Sequence, residues 1–161
     1  MILQYFKKKE NEFKIQSDTI YLNILKKSKS LLKKKYFNEI DFSVSFELIS
    51  ILLIYYLNLL KNKDLTSNKI INEELIKNLV NDLDKSLRDL GISDMSIGKY
   101  VKKYVKKFYY RLKILDPIFE NESFEELRIY LNSLGFVNKN NSNELVNALS
   151  DFFLQIKNNN E

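Results

Sequence analysis

Apolar residues recur along this chain at spacings of three and four, and lysine, asparagine and glutamate fill most positions between them. That period is one face of a helix. The most ordered stretch is 81–111. Leu75, Leu79, Leu83, Leu87 and Leu90 line one side of a helix entering it, with Asp84 and Arg88, and Lys85 and Asp89, four apart. Gly91 follows the last apolar position and can take the left-handed conformation that ends a helix. Ser93, Asp94 and Ser96 can each cap the next helix. Its stripe runs through Ile97, Val101, Tyr104, Val105, Phe108, Leu112 and Leu115, with Lys99, Lys102, Lys103, Lys106 and Lys113 on the other side. Asp116-Pro117 predicts its end, because the residue before proline disfavours helical geometry.

The pattern predicts further helices on both sides. Ser17 or Asp18 opens one reaching about Tyr36, with Ile20, Ile24, Leu31 and Leu32 apolar and the lysines from Lys26 to Lys35 facing water. Asp41 or Ser43 opens the most apolar segment, Phe46 to Leu60. Its unbroken run, Ile51 to Leu57, is far shorter than a bilayer crossing requires, and Glu47, Ser50 and Asn58 interrupt it. It reads as the central helix of a bundle. A polar connection from Lys61 to Lys69 precedes the leucine helix. Ser123 and Glu126 have capping-box spacing before a short helix closed by Gly135. Asn141 and Glu144 repeat the box before a last helix to about Lys157, and 158–161 reads as a disordered tail. The expectation is all-α: one domain, residues 1–157, an irregular bundle of about six helices around Phe46 to Leu60, with 1–16 a basic N-terminal segment.

Composition narrows the chemistry. The chain has 161 residues, enough for a sizeable core, and only one Pro and three Gly. It has no Cys and no His. That excludes disulfides, zinc sites built on those residues, and nucleophile–histidine catalysis. Conventional haem ligation would be left with Met1, Met95 and the tyrosines. Carboxylates cluster at Asp82, Asp84 and Asp89, at Glu73 and Glu74, and at Glu125 and Glu126, but caps and solvated faces account for them. No catalytic, cofactor or metal site is expected.

Charge is segregated within a net +5. Residues 1–40 carry ten bases against four acids, and 95–116 carry seven against one. Such segments could face anionic lipid, RNA or an acidic protein, and DNA is not expected. Ile2, Leu3, Tyr5 and Phe6 precede Lys7, Lys8 and Lys9, the reverse of a signal peptide, and Glu10 and Glu12 argue against a mitochondrial presequence. An apolar tip followed by lysines suits contact with a membrane surface.

The stretch 81–111 also resembles the signature of the ubiquinol–cytochrome c chaperone family. The matching residues are Asp84, Ser86, Leu87, Arg88, Asp89, Leu90, Gly91, Asp94, Gly98 and Lys99, followed by Phe108, Tyr109 and Arg111. Phe46, Glu47 and Leu48 match a further element. Leu52 stands where many relatives have His, and Tyr110 replaces a usual Gly. The N-terminus is similar to that of bacterial members, which implies a complete bacterial-type chain. The resemblance implies a non-enzymatic chaperone that holds newly made cytochrome b during assembly of the respiratory cytochrome bc complex. It implies work in the cytoplasm, peripheral to the inner membrane. Mitochondrial members act with a small helical partner near the ribosomal exit, so a co-chaperone and the ribosome are further partners it points to. Lys99, Lys102, Lys103, Lys106 and Tyr110 are the candidate partner-facing residues. Asp84, Ser86, Leu87, Arg88, Gly91, Asp94, Gly98 and Arg111 are expected to shape the joint. The alternative is a basic helical RNA- or ribosome-binding module, resting on the lysine–tyrosine interleaving of the same helix.

Overall fold

A computed structural model describes residues 2–61 and 65–160, with the side chains at 2, 3, 5, 6, 65 and 160 outside the description. The expected apolar N-terminal tip therefore lies outside the described side chains. The chain is all-α. Among the described residues there are six α-helices: α1 (Ile2–Leu31), α2 (Phe42–Lys61), α3 (Leu65–Asp89), α4 (Asp94–Glu120), α5 (Phe124–Ser133) and α6 (Ser142–Asn160). A 3-10 turn, Lys139–Asn141, precedes α6.

The helices group into two compact units. The first comprises residues 1–23 with 60–111, and the second 24–59 with 112–161. In the first, α3 buries Ile71, Leu75, Leu79, Leu83 and Leu87, one residue in four, while Glu73, Lys77, Asn81 and Lys85 face water. Polar bonds tie α1 to this helix. The Tyr21 hydroxyl donates to Asp82 Oδ2 at 2.9 Å, and Asn78 Nδ2 donates to Asp18 Oδ1 at 2.9 Å.

In the second unit, α2 is buried at Val44, at every residue from Ile51 to Leu57, and at Glu47 and Ser50. Among the described residues it is the one helix long and apolar enough to cross a membrane, yet 72% of its apolar window is buried within the chain. Its polar residues are held. Tyr130 OH donates to Glu47 Oε2, and Asn58 Nδ2 donates to Asp116 Oδ1 at 2.9 Å. Tyr55 stacks on Phe153 with centroids 3.9 Å apart, Phe119 meets both rings edge-on, and the Tyr55 hydroxyl donates to the Phe153 carbonyl. An antiparallel bridge joins Phe37 to Val137.

Several expectations drawn from the pattern are corrected. Ser17 and Asp18 do not start α1, which begins at Ile2. Residues 7–16 contain no breaker, Ser17 Oγ bonds back to the Lys14 carbonyl, and Asp18 is spent on Asn78. The helix ends at Leu31, and Tyr36 is buried in the turn beyond it. Pro117 does not end α4, which continues to Glu120. Proline forfeits one backbone bond inside a helix, and here the following turn buries Ile118 and Phe119. Leu90 is exposed, because the chain turns away from the leucine stripe at that point. The box at Asn141 and Glu144 does not form. Asn141 donates instead to the Lys35 carbonyl, and Glu144 pairs with Lys35. Residues 158–160, expected in a disordered tail, complete α6. The box at Ser123 forms its cap, with Ser123 Oγ accepting from the Glu126 amide.

Candidate functional site

The joint between α3 and α4 is built by backbone geometry first. Gly91 has φ +93°, the left-handed region. Its amide donates to the Arg88 carbonyl at 2.9 Å, and the Ile92 amide donates to the Leu87 carbonyl at 3.1 Å. This pair of bonds is the Schellman closure, which satisfies carbonyls a helix end would otherwise leave open. Ser93 then holds the N-cap position, and its carbonyl accepts from the Ile97 amide. Asp94 sits in the first turn of α4, where a carboxylate meets the positive end of the helix dipole. Of the three candidate caps, Ser93 is the one in place.

Arg88 spans the joint. Its Nε donates to Asp84 Oδ2 at 2.7 Å, one turn back on α3, and its Nη1 donates to Asp94 Oδ1 across the corner. The two carboxylates hold its guanidinium above its ordinary pKa, Asp84 contributing most. The four-residue spacing of Asp84 and Arg88 is thus realised as a bond, which Asp94 joins from across the corner. Ser86 lies one residue before Leu87 of the buried stripe. It is half-buried, and its Oγ reaches Asp82 Oδ1 at 3.5 Å, the carboxylate that also accepts from Tyr21. Burial first, then the negative charge of Asp82, pushes the Tyr21 hydroxyl far above its ordinary pKa. This Tyr21–Asp82–Ser86 chain was not found by spacing, because Tyr21 and Asp82 are 61 residues apart.

Gly98 differs from Gly91. It lies within α4 without positive φ, it is exposed, and a Cβ built there would meet nothing within 4 Å. No contact within the described chain requires glycine at that position.

Along α4, Ile97 and Phe108 are buried, but Val101, Tyr104 and Val105 are only half-buried. The expectation that Tyr104 belongs to the core is therefore corrected. One shallow stripe cannot cover every ring of a helix whose other positions are lysines. Lys107 lies over the Tyr104 ring at 6.0 Å. Lys99, Lys102, Lys103 and Lys106 are exposed, as are Tyr109 and Tyr110, and the Arg111 guanidinium lies 5.8 Å from the centre of the Tyr110 ring. Met95 was not singled out as a surface residue, yet it is 98% exposed. Its position one turn before Lys99 was the available signal.

Concavities lie away from the lysine face of this helix. A small apolar pocket of about 20 Å³ is lined by Tyr55, Phe119, Leu127 and Phe153, with Glu122 and Lys157 at its edge. Burial, then the charges of Glu122 and Tyr56, pushes the Tyr55 hydroxyl up to about 12. An open polar groove of about 630 Å³ runs between α1 and α3, lined by Glu10, Lys14, Glu73, Glu74, Lys77 and Asn78. Neither brings together groups poised for acid–base or nucleophilic work. Among the described residues no three carboxylates converge as metal ligands.

The family described as "Ubiquinol-cytochrome C chaperone" matches residues 39–154. Among solved structures, the chain resembles the crystal structure of the Cbp3 homolog from Brucella abortus. The TM-score is 0.59 at 25% sequence identity, covering 83% of this chain and 74% of that one. No curated protein matches the sequence.

Proposed function

Because the chain belongs to the ubiquinol–cytochrome c chaperone family, we propose that it binds newly made cytochrome b and holds it during assembly of the respiratory ubiquinol–cytochrome c reductase. Chaperoning that assembly is the role of the family, and the reading here is one of binding, not catalysis. The observation that carries it is the joint. Its signature residues are spent on fixing the angle of a helix: Arg88 clamps Asp84 to Asp94, and Gly91 makes the closing turn. None of them converges on a reacting position. What the joint presents is the outer face of α4, with Lys99, Lys102, Lys103, Lys106 and Tyr110. A rigid helix presented at a fixed angle suits a chaperone that must dock and release. The proposed place of work is the cytoplasm, against the inner membrane.

The test is an affinity pull-down of the tagged chain from membranes. Cytochrome b should be recovered before it carries haem, and a strain lacking the chain should fail to accumulate the cytochrome bc complex. Normal accumulation in that strain would overturn the proposal. The RNA- or ribosome-binding alternative draws on exposed Tyr100, Tyr109 and Tyr110 beside the lysines. It requires co-purifying RNA whose binding falls steeply with salt.

A further inference from the structure

The outer face of α4 carries more than charge. At 3.6 residues per turn, Met95, Lys99, Lys102, Lys103, Lys106 and Tyr110 fall within a stripe about 100° wide and about 22 Å long. All six are exposed, Met95 at 98% and Tyr110 at 60%. Among the described residues none of the four lysines has an ion-pair partner. No acid lies between Met95 and Leu115. An aliphatic residue thus stands at one end of the stripe, a tyrosine at the other, and unneutralised lysines between. Leu90, just before the joint, adds a further exposed apolar side chain.

We propose that this stripe is a membrane-surface contact that seats the chain on an anionic bilayer. Lysines at such a surface are drawn to the headgroups while their methylene stems lie along the interface. Met95 would enter the boundary between headgroup and acyl chain, and Tyr110 would sit at headgroup level, as amphipathic rings do. The shape favours lipid over RNA. A non-specific RNA site is a groove that tracks the backbone and offers rings for stacking. This stripe is a convex ridge. Its most exposed apolar residue is a thioether chain with no face to stack upon.

The experiment is vesicle flotation of the purified full chain. One set of vesicles is phosphatidylcholine alone, and the other contains added phosphatidylglycerol. The chain should float with the anionic vesicles and not with the neutral ones, and added salt should release it. Each lysine at the surface contributes about fivefold, so the double substitution Lys102→Gln/Lys106→Gln should weaken binding roughly 25-fold. Met95→Ser, which changes no charge, should weaken vesicle binding severalfold and leave any binding of a uridine oligonucleotide unchanged. Circular dichroism should show wild-type helix content in both variants, since the substituted side chains are exposed. Equal flotation with both vesicle types, or no flotation with either, overturns the proposal. So does oligonucleotide binding that the lysine variant abolishes while vesicle binding ignores Met95→Ser, which would assign the ridge to nucleic acid. No client is present in the assay, so it can fail while the chaperone reading stands.

Discussion

The two glycines of the α3–α4 joint look alike in the sequence and do opposite things. Gly91 is at φ +93°, where a side chain is strained whatever the space around it. Gly91→Ala should therefore cost about 1 kcal/mol or somewhat more, read as a lower urea midpoint at unchanged slope. Gly98 is in ordinary helical geometry with open space where a Cβ would go. Gly98→Ala should raise stability by about 0.5–1 kcal/mol, because glycine gives up more chain entropy than alanine on entering a helix. If the stabilised Gly98→Ala protein supports less cytochrome bc complex in cells, the glycine serves a partner, not the fold.

At the scale of the element, α4 illustrates how packing overrides a local signal. Pro117 removes the amide that the Lys113 carbonyl would otherwise receive, and a proline inside a helix costs up to about 3 kcal/mol. The helix nevertheless persists to Glu120, with Ile118 and Phe119 buried on the far side. The turn then closes as at Gly91. The Ser123 amide donates to the Ile118 carbonyl at 3.0 Å, with Glu122 at φ 49° where a glycine would be expected. Glu122 is held there by Lys157. Pro117→Ala should raise the thermal midpoint, since it restores a backbone donor without disturbing the buried pair. A lower midpoint would mean that the proline limits the unfolded chain more than it strains the helix.

At the scale of the whole molecule, buried tyrosines make stability depend on alkaline pH. Burial raises the Tyr21, Tyr55 and Tyr56 hydroxyls above the ordinary value near 10, Tyr55 to about 12. The folded chain keeps these protons where the unfolded chain has lost them. Their contribution is therefore complete below about pH 10 and is lost as pH rises through the folded values. The check is phenolate absorbance followed against pH beside helical circular dichroism. Tyr21, Tyr55 and Tyr56 should appear only in a late step that coincides with loss of helical circular dichroism. In Tyr21→Phe/Tyr55→Phe/Tyr56→Phe that coincidence should disappear.

Local rules determined a good part of this protein. Period and breakers were enough for the all-α class, the buried α2, the leucine stripe of α3, the glycine that ends it and the lysine face of α4. Each depends on residues within a turn or two of one another. The signature at 84–99 made the family legible for the same reason, since its residues are close in sequence. What only the tertiary structure decided depends on distant partners. Tyr21 reaches Asp82, Lys35 takes Glu144 away from a capping box, and Asn58 finds Asp116. Half-burial of Tyr104 and full exposure of Met95 depend on which neighbours reach each side of α4. Helical spacing gives a residue's angle on the helix, but burial requires something at that angle to cover it.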